Sequence, residues 1–264
     1  MEEFLFDLRG FVVISQALEA DHLKKINDWI DVLPPLEREE WLGNMEVHTY
    51  GDIDGLNLQN IIEGGELFER MIDHPAWIDL VRYYLGSLTE PFINECFLNL
   101  RGRGGYIGVH SGGWKTDGRI RSGVQGGTWC VQYLSLIVAL NDIGPGDGAS
   151  VIIPGSHKSS FQHPQQTEGV GITHRPGEEI EGTEEIHLRA GDVALFNDML
   201  IHGSAARTNE GHRRTLVFRY LPTIYAHRLG YEPSPELLQR LTPERRKIVQ
   251  PIVPHRPPRN RPLA

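Results

Sequence analysis

The sequence predicts a mainly β fold, a sandwich or double-sheet barrel with helices packed outside it, and three stretches carry that expectation. From Phe92 to Pro222 the chain is a succession of short β-rich runs punctuated by Gly and Pro turns, whereas helical spacing of apolar residues lies upstream. The run 131–140, VQYLSLIVAL, is apolar almost throughout, as a strand covered on both faces must be. The stretch 191–222, GDVALFNDMLIHGSAARTNEGHRRTLVFRYLP, reads as two core strands joined by a loop that carries His202.

In chain order, residues 4–15 (FLFDLRGFVVIS) read as a strand with Gly10 at a turn or kink. Leu18, Leu23, Ile26, Trp29, Ile30 and Leu33 then recur at helical spacing, which predicts an amphipathic cover helix over 19–32, ended by Pro34 and Pro35. A polar, irregular segment is expected from there to Asn60; its Trp41, His48 and Tyr50 are either pocket-lining or packing residues. Residues 65–85 read as a second helical region and 91–100 as a strand. His110 ends a short β run, NDIGPGDG forms a turn before the strand ASVIIP, and His157 is expected to cap the following turn rather than to bind a ligand.

Composition narrows the function classes. Hydrophobic residues make up 39% and charged ones 23% of 264 residues, and no apolar run approaches the length of a bilayer span, so a soluble globular protein is expected, with no membrane partner. The opening MEEFLFDLRGFVVI puts acid before its apolar residues, unlike a secretory signal, and points to the cytoplasm. A net charge of −9 argues against nucleic acid, whose binding needs Lys and Arg against phosphates. One domain over 1–250 is expected, with a Pro/Arg-rich tail at 251–264. Cys96 and Cys130 are too few for a zinc ribbon and read as buried small hydrophobes, so any metal must be held by histidine and oxygen.

Eleven positions after His202 comes Arg213, and two further on Thr215; on a strand both point to one face. A guanidinium fork beside a hydroxyl is a receptor for a planar carboxylate, so His202, Arg213 and Thr215 could hold a metal and an acid side by side. Trp114, Lys115, Arg119 and Arg121 either face the same pocket or belong to a solvated loop.

The segments ALNDIGPGDGASVIIPGSHK, GDVALFNDMLIHGS and HRRTLVFRYLP, in that order, resemble the phytanoyl-CoA dioxygenase family of iron(II)- and 2-oxoglutarate-dependent oxygenases, closely over Phe92 to Pro222 and loosely before it. The resemblance implies a double-stranded β-helix, a cupin-like jelly roll whose mouth binds iron through two histidines and a carboxylate. It implies His110 and His202 as metal ligands, Arg213 as the anchor of the distal 2-oxoglutarate carboxylate with Arg214 beside it, and Thr215 as a supporting hydroxyl. Where the family usually places Asp or Glu, two residues after the first histidine, this chain has Gly112. Three readings fill the gap: Asp117 folds back as the third ligand; chloride takes the position, as in the iron/2-oxoglutarate halogenases; or water does, in a noncatalytic metal or 2-oxoglutarate binding module. The expected activity is oxidation, by hydroxylation, of an unactivated C–H bond of a small molecule, with halogenation as the alternative.

Overall fold

The computed structural model describes residues 1–48, 55–86, 90–111, 123–125, 128–159, 161–165, 180–222 and 231–250, the side chains of 111, 123–125 and 128–130 excepted. Residues 2–9 form a helix, α1 (Glu2–Arg9), where the sequence suggested a strand; β1 follows only at Phe11–Ile14. Local chemistry favours the helix: Glu2 and Glu3 lie in its first turn and Arg9 in its last, complementing the helix dipole, and Gly10 closes it in the left-handed conformation (φ 85). The expected turn at Gly10 is therefore a helix stop.

Helix α2 (Ala20–Asp31) buries His22, Ile26 and Ile30 on one stripe and matches the expected cover helix. The segment expected to be irregular instead holds β2 (Trp41–Leu42), β3 (Met45–Val47) and β4 (Gly55–Gln59). These strands are short and of mixed polarity; they exist because each pairs onto its neighbour, and β4 onto β5 (Pro91–Arg101), rather than through local propensity. Trp41 in β2 is 56% exposed and meets Tyr231 edge-on at 6.3 Å, and Tyr50 lies outside the described residues. The second helical region is two pieces, α3 (Glu66–Glu69) and α4 (Ile78–Leu85), separated at Asp73-His74-Pro75, where proline cannot continue a helix.

The β region continues as β6 (Ile107–Ser111), β7 (Gly123–Gln125), β8 (Thr128–Cys130), β9 (Leu134–Ala139), β10 (Ser150–Ile152), β11 (Glu184–Ile186), β12 (Val193–Asn197), β13 (Ile201–Ser204) and β14 (Arg213–Pro222). Two C-terminal helices that the sequence reading did not foresee, α5 (Pro235–Arg240) and α6 (Pro243–Val249), each start on a Ser or Thr cap followed by proline. An eight-stranded antiparallel sheet, ordered β1-β12-β9-β14-β5-β4-β3-β2, faces a four-stranded one, β11-β10-β13-β6. Between them lies a core that includes Phe97, Ile137, Ile152, Phe196, Leu200 and Val217, while the helices pack with a larger apolar cluster on the outer face of the big sheet. This is the expected jelly roll. Among the described residues no helix is long and apolar enough to cross a membrane. Cys96 is free and buried, and burial pushes its thiol up to about 12, so it behaves as an inert hydrophobe.

The stretch 191–222 holds three strands, not two. After β12, in the large sheet, the chain turns at Asp198–Leu200 and crosses to the small sheet as β13, so His202 sits on a strand rather than in a loop. There Gly203 lets β6 approach: a Cβ at this position would stand 2.8 Å from the Ile107 carbonyl oxygen and 2.9 Å from the Val109 Cα. Both obstacles are backbone, so they can yield only by moving the strand. Gly203→Ala should therefore lower stability by about 1–3 kcal/mol, read as a fall in the urea midpoint. A midpoint equal to the parent's would show that β6 has room to retreat.

Candidate metal centre

His110 on β6 and His202 on β13 are direct partners in the strand register, with ring centroids 4.3 Å apart. Each ring sets its Nδ1 against the backbone carbonyl two residues earlier, His110 on Gly108 at 2.9 Å and His202 on Leu200 at 2.7 Å. A carbonyl only accepts, so Nδ1 carries the proton in both rings and Nε2 keeps the lone pair. That is the tautomer in which histidine ligates a metal with its second nitrogen held from behind. Burial, reinforced by the neighbouring His110, pushes the His202 imidazole down to about 4, so it is neutral and ligand-competent at neutral pH. The edge of Phe196 closes one side, 5.1 Å from the His202 ring.

Two residues along β13 from His202, the chemistry changes sign. Ser204 Oγ takes a 2.5 Å hydrogen bond from Arg101 Nη1, and Arg101 on β5 is the register partner of Arg213 on β14. Arg213 Nη1 donates to the Gly148 carbonyl at 2.5 Å. Both guanidiniums are buried, 2% and 4% exposed, and neither meets a carboxylate among the described residues. Burial lowers both, Arg101 to about 10, and Arg213 is lowered further by its proximity to Arg101 and Arg207. Two buried cations without a counter-charge are expensive, and an anion bound here would relieve the cost.

The unsatisfied polar atoms gather at the same level. Arg213 Nε and Thr215 Oγ1 are buried without partners, as are Asn99 Oδ1 and Asn57 Nδ2. Thr215 pairs with Asn99 and Asn99 with Asn57 across three adjacent strands, so these atoms form one cross-strand row next to the arginines. Arg214, one residue from Arg213, points the other way, donating to Asn27 and, at 2.6 Å, to Asp31 on α2. Strand alternation alone separates an inward-facing arginine from one that clamps the cover helix. Further along β14, Arg219 pairs with Glu95 at 2.5 Å, and Gln59 donates to the same carboxylate.

Asp198 escaped the sequence reading. Its Oδ1 accepts from Ser135 Oγ at 2.6 Å and stands 3.8 Å from His202 Nε2. The available signal was its position four residues before His202, at the crossing between sheets. Asp198 and the two histidines nevertheless do not each bring a ligand atom within 4.8 Å of the others, so they form no ready three-ligand set. Gly112, Asp117, Trp114, Lys115, Arg119 and Arg121 lie outside the described residues. His157 sits inside the 3-10 turn Ser156–Lys158, buried, with Nε2 on the Asp7 carbonyl at 3.1 Å, so it ties the turn to α1 rather than capping it, the caps being Gly155 and Ser159.

The model of the phytanoyl-CoA dioxygenase family matches residues 6–215. The chain is 31% identical over 88 residues to a probable phytanoyl-CoA dioxygenase of Caenorhabditis elegans, covering 31% of this chain and 28% of that protein. It is 32% identical over 84 residues to the peroxisomal phytanoyl-CoA dioxygenase of Bos taurus, covering 30% and 25%. The aligned stretch thus spans about a quarter of each curated relative. Among solved structures, HygX from Streptomyces hygroscopicus with nickel and 2-oxoglutarate bound superposes with a TM-score of 0.70 at 20% identity, covering 89% of this chain and 92% of that one. Apo EctD from S. alaskensis gives 0.64 at 19% identity, covering 86% and 81%. Both likenesses establish the fold.

The histidine pair generates a direct expectation. Anaerobic titration should find tight binding of one iron(II) equivalent that either His110→Ala or His202→Ala abolishes. Undiminished iron affinity in both variants would remove this pair as the metal centre.

Proposed function

The chain belongs to the phytanoyl-CoA dioxygenase family, and from that membership we propose that it is an iron(II)- and 2-oxoglutarate-dependent oxygenase that hydroxylates an unactivated C–H bond of a small molecule. The observation that carries the proposal is the pairing, inside one barrel, of two register-paired histidines with a buried arginine and threonine whose Nε and Oγ1 lack partners. These donor sets fit the two groups: imidazole nitrogens suit iron(II), and a guanidinium beside a hydroxyl suits a carboxylate.

In this reading His110 and His202 hold the metal, their Nδ1 protons pinned by Gly108 and Leu200. Arg213 and Thr215 take the distal carboxylate of 2-oxoglutarate, and Arg101 adds positive charge at the same level. Iron(II), 2-oxoglutarate and dioxygen together supply the oxidising chemistry, with succinate and carbon dioxide as the co-products. The protein's part is positioning and exclusion of water: Ile137, Phe196 and Val217 line the core at this level, and β14 carries both the carboxylate anchor and Arg219 on one rigid strand. The substrates of the relatives do not transfer at this identity. HygX has been crystallised with hygromycin B, and SnoN, a non-heme alpha-ketoglutarate-dependent epimerase, with nogalamycin RO; ligands of that size are in keeping with a small-molecule substrate for this chain.

A second reading rests on one residue. Gly112, two after His110, offers no ligand atom, and an iron/2-oxoglutarate halogenase with chloride in that position would need such a residue. Asp198 weighs against it, since a carboxylate 3.8 Å from His202 Nε2 disfavours a second anion nearby. A noncatalytic binding module is the third possibility, and it predicts no 2-oxoglutarate-dependent oxygen uptake with any substrate.

Two measurements test the proposal. Arg213→Lys loses the bidentate fork and should raise the apparent 2-oxoglutarate constant about tenfold or more, whereas Arg214→Lys should leave it near the parent value. The reverse pattern would move the anchor to Arg214. Anaerobic protein with iron(II) and 2-oxoglutarate should show a metal-to-ligand charge-transfer band indifferent to chloride, and Asp117→Ala should weaken iron binding if that residue completes the site. A saturable chloride shift, abolished by Gly112→Asp, would establish the halogenase reading instead.

A further inference from the structure

We propose that Glu19, His22 and His74 form a second divalent-metal site, of the zinc class, outside the barrel and separate from the His110–His202 centre. One carboxylate oxygen of Glu19 and one ring nitrogen from each histidine lie within 4.8 Å of one another, which no other three His, Cys, Asp or Glu side chains achieve among the described residues. Glu19 is the N-cap of α2 and His22 is three residues on, so both project from one side of its first turn; His74 comes from the break between α3 and α4. An ion here would tie the cover helix to the following helical segment.

Each member is prepared for the role. His22, 6% exposed, sets Nε2 2.7 Å from the Leu67 carbonyl; that nitrogen must carry the proton, leaving the lone pair on Nδ1. His74, 8% exposed, stacks on Trp77 at 4.4 Å, and Trp77 is itself fully buried with its Nε1 donating to Tyr220. Burial lowers His74, favouring the neutral form a metal requires. Its Nδ1 receives only a 3.3 Å contact from the Ala76 N–H, a weak bond for an ion to displace. Glu19 makes no side-chain cap bond to its own helix, so its carboxylate is not committed there.

The neighbouring charges are already spent. Lys25 pairs with Asp21 at 2.7 Å and Arg70 with Glu66 at 2.5 Å, so neither is drawn onto Glu19. A cavity of about 290 Å³ bordered by Glu19, His22, Lys25, Glu66, Leu67 and Arg70 gives the site an entry path and room for water as the remaining ligand. Two imidazoles, one carboxylate and water suit Zn²⁺ or Co²⁺ and not Ca²⁺ or Mg²⁺, which take oxygen ligands.

The test uses the full chain with His110→Ala and His202→Ala together, which silences the barrel centre. Zn²⁺ titrated against a chromophoric chelator should bind at one equivalent, and Co²⁺ should give a visible d–d spectrum. Adding His22→Ala or His74→Ala should abolish both signals. Because the two histidines are buried and their removal could perturb folding, Glu19→Gln is the decisive variant: it alters an exposed side chain and should weaken Zn²⁺ binding about tenfold or more. In the silenced background, Zn²⁺ at a hundredfold excess over its Kd should also raise Tm by about 5 °C. Absence of Zn²⁺ binding, or binding untouched by Glu19→Gln and His74→Ala, would overturn the proposal, whatever the fate of the barrel centre.

Discussion

The close approach of β6 to β13 is the constraint on which the rest of the site depends. It brings His110 and His202 face to face from strands about ninety residues apart in sequence, and it exists because Gly203 has no Cβ to meet the β6 backbone. Two residues on, across a shift in the register, Ser204 pairs with Ile107, and its hydroxyl both receives Arg101 and accepts the Ile107 N–H. One strand thus carries His202, the candidate metal ligand, and two residues on Ser204, which holds Arg101, a consequence of the period of two along a strand.

Electrostatics divides the barrel interior into zones. Near the histidines the environment suppresses charge: His202 is neutral because its surroundings are dry and His110 is beside it. Deeper in, Arg101 and Arg213 face each other across β5 and β14 without a described carboxylate, and the row Asn57, Asn99 and Thr215 leaves polar atoms unmade. A folded protein tolerates such groups where a ligand is to satisfy them, because the cost of burying them is recovered only on binding. Arg219, by contrast, is matched by Glu95 and is part of the resting wall. Among the described residues Arg219 thus has a carboxylate partner that Arg101 and Arg213 do not.

Much of the fold was legible before any coordinates. The apolar run at 131–140, the cover helix at 19–32 and the shared face of Arg213 and Thr215 follow from periodicity, because burial selects residues by which face they occupy. The misreadings have specific physical causes. Residues 4–9 carry a helix since dipole-matched charges and a glycine stop outweigh a short apolar alternation. The strands β2 to β4 were invisible because their stability comes from edge pairing on β5, a partner remote in sequence. His202 reads as a loop residue because the turn at Asp198–Leu200, which moves the chain between sheets, lies hidden inside what reads as one continuous apolar run.

By itself the sequence determined the barrel class, the order of its strongest elements, and the residue types available for metal and carboxylate binding, since these depend on local spacing and side-chain chemistry. Only the tertiary structure decided that His110 and His202 share a register, that Arg213 faces inward opposite Arg101 while Arg214 clamps α2, and that Asp198 stands beside His202. It alone gathered Glu19, His22 and His74 from two separate helical segments. Apart from Asp198 beside His202, which the turn between sheets brings together, these join residues far apart along the chain, and such contacts follow from how sheets and helices pack, which no local pattern encodes.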